Sequence, residues 1–242
     1  MLASKKEFAI VFDIDGVLIH DGTVIDGVPE IIKSLHDHHI PFVFVTNGGG
    51  ETESERAGRL SKLFGLTIDP SRVIMAHTPL TKRSLFGNEE KPSEESNERV
   101  LFIGRDDVSC DKILENYGYS NRVSLRKFAE KHPYLLPYSM KEHENYYKFS
   151  HEEQLKNSEN DRIDSIFFLD TPIDWLETLQ LTCDLLLSDG RVGHLLDFSR
   201  DEQKVKVCFC NPDLVYQGVC SQPRFTMGAF RYVVLITSRS IC

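Results

Sequence analysis

An α/β fold built on a parallel sheet is what the sequence predicts, and three observations predict it. Residues 8–12, Phe-Ala-Ile-Val-Phe, form a short apolar run that leads straight into Asp13-Ile14-Asp15-Gly16. Two further runs, Phe42-Val43-Phe44-Val45 and Val73-Ile74-Met75-Ala76, follow it. Amphipathic helical patterns separate the three. Short apolar runs bounded by turn residues read as strands buried on both faces. Strand–helix–strand–helix–strand order then gives a parallel, doubly wound sheet.

Each element has a local reason. Asp21-Gly22 lies between Val17-Leu18-Ile19 and Thr23-Val24-Ile25, a hairpin signal. That hairpin is expected to sit as a flap over the carboxylates before it. Pro29 opens a helix over about residues 30–37, with Ile31, Ile32 and Leu35 on one face. His36, His38 and His39 at its end suit the negative pole of the helix dipole, or solvent. Thr52-x-x-Glu55 is a capping box, and the helix it opens carries Ala57, Leu60, Leu63 and Phe64 before Gly65 stops it.

A second α/β unit is expected further on. Residues 87–98 contain no aliphatic or aromatic residue and mark a boundary. A strand at 99–103 and a helix from about 107 to 117 restart the alternation. Residues 137–164 are polar and uneven, a long surface excursion. A strand at 165–169 leads to a helix opened by Asp170-Thr171-Pro172 and closed by Asp189-Gly190. Trp175, Leu176, Leu179, Leu185 and Leu186 make that helix apolar on several sides, so deep burial is expected. A strand at 205–209 runs into Asn211-Pro212-Asp213, and the stretch from Gly228 starts as a helix.

Size and composition narrow the function. At 242 residues the chain suits one large domain or two small ones. It carries 28 Lys+Arg against 37 Asp+Glu, a net charge of −9, without a basic block, which argues against nucleic-acid binding driven by phosphate contacts. No apolar stretch approaches the ~20 residues that span a bilayer. Six cysteines lack paired metal spacing. Only Cys208 and Cys210 are close, on one face of a strand, and all six read as reduced thiols of an intracellular protein. Neither a secretory apolar region nor an Arg-rich presequence precedes the first strand, so no targeting segment is expected in this chain.

The chemistry sits at two strand ends. In an extended segment Asp13 and Asp15 point the same way while Ile14 turns back into packing. Paired carboxylates give a nucleophile with an acid/base partner, a magnesium site, or both; a turn with solvated aspartates is the plain alternative. Thr46-Asn47-Gly48-Gly49-Gly50 ends the next strand. The Thr46 hydroxyl, the Asn47 amide and the backbone N–H groups from Gly48 onward form a concavity suited to an anion.

Together, apolar strand–Asp-x-Asp-Gly-Val and apolar strand–Thr-Asn resemble the first two motifs of the haloacid dehalogenase superfamily. The resemblance implies a Rossmann-like core with a parallel sheet and an inserted α/β cap. It implies Asp13 as nucleophile, Asp15 as acid and base, and Thr46, Asn47 and Gly48 as phosphate ligands. It also implies Mg2+ held by Asp13 and Asp15, a small phosphorylated substrate, and a magnesium-dependent phosphatase working through an aspartyl-phosphate. His77-Thr78-Pro79, residues 183–190, Asn211-Pro212-Asp213-Leu214, Pro223-Arg224-Phe225 and Gly228-Ala229-Phe230 are similar to the cat eye syndrome critical region 5 family. That is a class IIA branch associated with mitochondria, and it implies a mitochondrial location. The implied division is core at 1–98, cap at 99–222 and a return to the core at 223–242.

Two further motifs of the superfamily, a lysine and a Gly-Asp segment, are not found after the expected cap. Impaired turnover in a C-terminally shortened chain is therefore expected, with a catalytically inactive binding or regulatory module as the alternative. Gly104-Arg105-Asp106-Asp107, with Asp111, imitates the acidic motif but falls where carboxylates would cap a helix. Lys204 and Lys206 lie on the wrong side of the return. A glycosyltransferase Asp-x-Asp predicts no Thr-Asn strand end. A calcium loop fails because Gly16 stands at its fourth position and Val24 at its twelfth.

Overall fold

The apolar run before Asp13 becomes β1 (Ile10–Asp13) in a computed structural model that describes residues 8–20, 22–81, 98–136, 156, 159, 161–198 and 200–241, with side chains to 238. Two short strands, β2 (Ile19–His20) and β3 (Thr23–Val24), form the expected antiparallel hairpin, with Ile19 opposite Val24. Next come α1 (Val28–Asp37), β4 (Phe42–Val45), α2 (Glu53–Phe64) and β5 (Val73–Ile74). The sheet order is β1-β4-β5, parallel throughout, with Asp13 opposite Val45. Register thus sets Asp13 and Thr46 at the same sheet edge.

The capping box of α2 is present: Thr52 Oγ1 accepts from Glu55 N at 3.2 Å, and Glu55 Oε2 accepts from Thr52 N at 2.8 Å. Ile14, Ile32, Phe44, Ala57, Leu60, Phe64 and Met75 close the first core. Ile31 departs from its predicted face and is 55% exposed, because α1 turns Ile32 inward and a single turn cannot bury both neighbours.

The second unit is a four-stranded parallel sheet. Its chain order is β6 (Val100–Ile103), α3 (Asp107–Asn116), β7 (Arg122–Ser124), α4 (Leu125–Lys131), β8 (Ser165–Phe168), α5 (Trp175–Leu186) and β9 (Lys206–Phe209). Strand order is β7-β6-β8-β9. Alternate residues feed opposite layers, as a pleat demands. Leu101, Ile103, Ile166 and Phe168 join Phe128, Leu181 and Leu185 on one side, while Val100, Phe102 and Phe167 join Cys110 and Leu114 on the other. A small ribbon, β10 (Val215–Tyr216) with β11 (Arg224–Phe225), precedes α6 (Met227–Ile241).

Several expectations need correction. Met227, Phe230 and Val234 of α6 lie in the core of the second sheet. α5 is capped by Asp174, whose Oδ1 accepts from Glu177 N at 3.0 Å. Asp170 is not the cap because it pairs with Arg105 Nε at 2.6 Å. Leu176 is 60% exposed, so α5 has an open side. The end of the supposed surface excursion is buried: Ile163 is packed in the core, and Asp161 takes Lys131 Nζ at 2.9 Å and buried His132 Nε2 at 2.5 Å. Those ligands, with Arg99, hold the Asp161 carboxyl at about 2 despite the opposing effect of its burial. The expected boundary at 87–98, apart from residue 98, and most of 137–160 lie outside the described residues.

Candidate active site

Asp13 and Asp15 leave β1 on a tight loop. Ile14 is fully buried between them, and its carbonyl accepts Leu18 N at 2.9 Å and Ile19 N at 3.0 Å. Both aspartates remain exposed, so the hairpin does not cover them as a flap. Asp13 Oδ1 accepts from Ile14 N at 2.9 Å, which fixes one carboxylate oxygen and leaves Oδ2 for other chemistry. Thr46, buried at the end of β4, donates its hydroxyl to Asp15 Oδ2 at 3.1 Å. Gly48 N donates to Thr46 Oγ1 at 2.9 Å, closing the turn. Asp15, Thr46 and Gly48 are thus linked by hydrogen bonds at the end of β4.

Asn47 has a partner as well. Its Nδ2 donates to Asp213 Oδ2 at 2.9 Å, joining the first strand-end loop to the loop after β9. Sequence gave no signal for this contact across 166 positions. Residues Gly104 to Asp107 also do what helix capping requires: Asp106 accepts from Val108 N and Ser109 N at the start of α3, and Asp111 pairs with Arg122 at 2.8 Å.

The second unit meets the glycine-rich loop directly. A Cβ on Gly49 would lie 2.5 Å from the Leu169 carbonyl oxygen, at the end of β8. Alanine at 49 must therefore displace backbone on one side or the other. Gly49→Ala is expected to destabilise the protein by about 1–3 kcal/mol in urea unfolding, the range for overpacking. Wild-type stability in that variant would show that the two strand ends are not in contact.

Beside that seat lies a buried polar cluster which the sequence flagged only as His77-Thr78-Pro79. His77 is fully buried; Nδ1 is 2.8 Å from Tyr117 Oη and Nε2 is 3.0 Å from the Glu51 carbonyl. Burial pushes its pKa down, against the pull of Glu53. Burial also works against the charge on Glu53, but hydrogen bonds from Thr78 and Tyr117 hold its carboxyl below the usual range. Glu55, bonded to Lys112 of α3 at 2.6 Å, is held down to about 2.

Arg56 is the charged residue the pattern missed. It sits on the inner side of α2, 7% exposed, with Nε 2.6 Å from Glu51 Oε1. The only sequence signal was its place directly after the capping box and near three glycines.

The donors at Asp13 and Asp15 are all oxygen, two carboxylates and the Asp15 carbonyl. That chemistry fits a hard cation such as magnesium. Among the described residues there is no group of three His, Cys, Asp or Glu placed to hold a metal ion, so the set is partial.

A family model for haloacid dehalogenase-like hydrolases matches residues 10–120. A mitochondrial hydrolase of Saccharomyces cerevisiae is 27% identical over 232 residues, covering 96% of this chain; the chain spans 62% of that protein's length. Among solved structures, a hypothetical protein of Pyrococcus horikoshii superposes with a TM-score of 0.60 at 19% identity, covering 96% of this chain and 68% of that one. A glycerol phosphate phosphatase of Mycobacterium tuberculosis, in complex with magnesium, gives 0.54 at 14% identity, covering 96% and 52%. At those identities the structural likeness shows the fold.

Proposed function

We propose that the chain is a haloacid dehalogenase-like hydrolase, built as a phosphatase in which Asp13 takes a phosphoryl group from a small phosphorylated metabolite. One observation carries this reading. Two neighbouring parallel strands end at the same edge, setting the exposed Asp13–Asp15 pair against the Thr46 hydroxyl 3.1 Å from Asp15. Strand ends of this kind are where open α/β sheets bind ligands.

The chemistry follows from the positions. Asp13 Oδ2 attacks phosphorus as the ester P–O bond breaks, leaving an acyl phosphate on Asp13. Asp15, oriented by Thr46, gives its proton to the departing oxygen. It then takes a proton from the water that attacks the acyl phosphate, which frees inorganic phosphate, restores the Asp13 carboxylate and returns Asp15 to its protonated form. Asp13 and the Asp15 carbonyl are the groups that would hold magnesium. Bound there, it would supply positive charge against the phosphoryl oxygens. Such charge matters because like charges 4 Å apart repel by about 1 kcal/mol in water and about 4 kcal/mol at an effective dielectric of 20. With a partial ligand set, turnover by this chain is expected to be slow, roughly a hundredfold below that of a complete site. The yeast relative's mitochondrial description supports a mitochondrial location.

The test is hydrolysis of a generic aryl phosphate with excess magnesium and again with chelator. Slow hydrolysis that stops on chelation is expected. Absence of magnesium-dependent hydrolysis beside intact phosphate binding would favour an inactive binding module, the reading that the partial ligand set supports.

A further inference from the structure

The face of Gly48 that bears no side chain is lined by three groups. A Cβ there would lie 2.9 Å from Arg56 Nη2, 3.2 Å from Thr46 Oγ1 and 3.7 Å from Asp15 Oδ2. The guanidinium of α2 thus reaches the floor of the carboxylate pair through space that only glycine leaves open. Arg56 is more than nine-tenths buried, and its Nε touches Glu51 Oε1 at 2.6 Å without hydrogen-bond alignment. Glu51 is itself shared with Arg59 Nη2 at 2.5 Å, so one carboxylate faces two guanidinium groups.

We propose that Arg56 is a phosphate-binding residue: its terminal nitrogens, uncovered by Gly48, grip the oxygens of the phosphoryl group held at Asp13. This deepens the phosphatase reading and rests on it for the position of the substrate. The planar fork of arginine suits phosphate oxygens, and a buried cation needs no reorganisation when the anion arrives. Burial and the neighbouring Arg59 push the Arg56 pKa down, while Glu51 and, least, Asp15 oppose that shift. Glu51 positions Arg56. Its backbone carbonyl is held by His77 and its carboxylate by the two arginines, so the fork cannot swing away.

The experiment measures binding of inorganic phosphate, with excess magnesium, to the full chain by titration calorimetry, alongside aryl phosphate turnover. Arg56→Ala, checked for cooperative unfolding, is expected to bind phosphate at least about tenfold more weakly and to regain part of that affinity with added guanidinium. Arg56→Lys keeps the charge without the fork and should fall between the two. Gly48→Ala, which pushes a methyl into the guanidinium, should weaken phosphate without removing the arginine, and it serves if Arg56→Ala fails to fold. A folded Arg56→Ala or Gly48→Ala variant with wild-type phosphate affinity overturns the proposal and leaves the phosphatase reading standing. Weakened, guanidinium-rescued binding in a protein that hydrolyses no ester supports the arginine site and removes the phosphatase reading instead. Failure of the wild-type chain to bind phosphate overturns both.

Discussion

Asp13→Asn is expected to abolish magnesium-dependent hydrolysis, by on the order of 10⁴-fold or more, the scale seen when an enzyme's nucleophile is removed. The substitution changes one carboxylate oxygen to an amide nitrogen of nearly the same size. The oxygen that accepts Ile14 N at 2.9 Å can be kept by the asparagine carbonyl, so the loop should survive. What disappears is the nucleophilic oxygen and one negative charge beside the incoming phosphate. Phosphate binding should therefore hold or tighten while turnover vanishes. That split separates loss of chemistry from loss of fold. Asp15→Asn should also be slow, because ester cleavage then lacks its proton donor. Hydrolysis surviving at the wild-type rate in Asp13→Asn would remove Asp13 from the reaction.

The largest effect on stability is expected at Phe168. Its ring is fully buried, stacked on Phe209 at 4.4 Å between centroids and tilted against Phe230 at 5.5 Å. Through these contacts β8 is joined to β9 on one side and to α6 on the other. Truncation to alanine removes apolar area and leaves a cavity that close-packed strands cannot collapse to fill. Phe168→Ala should cost about 3–5 kcal/mol in urea unfolding. Because β8 also ends against Gly49, phosphate affinity should fall along with stability. A loss below about 1 kcal/mol would contradict the packing of α6 on this sheet.

The strands were legible because nothing competes with a short apolar run that ends in carboxylates or glycines. β4 was read to the residue, and α2 was readable because its capping box is local. Burial was less legible. Ile31 and Leu176 fit apolar patterns yet face outward, while Arg56 breaks its pattern and faces inward. Their fates are set by what packs on each helix, which short-range periodicity does not carry. The cap of α5 was misplaced because Asp170 and Asp174 are equally good candidates until Arg105 engages the first. Contacts that join the two units, Asn47 with Asp213 and Tyr117 with His77, span 166 and 40 positions and have no local signature.

The central claim is that Asp13 carries the phosphoryl group. It is tested most directly by acid-quenching the protein during turnover of a phosphate ester labelled in its phosphoryl group, measuring the label retained on the protein, and locating its site by mass spectrometry as the residue that borohydride reduces with release of that phosphate. The account predicts one labile acyl phosphate, reduced to homoserine at position 13, present in the wild-type chain and absent from Asp13→Asn. Hydrolysis that proceeds with the label on another residue, or with no covalent label at any time, would contradict it.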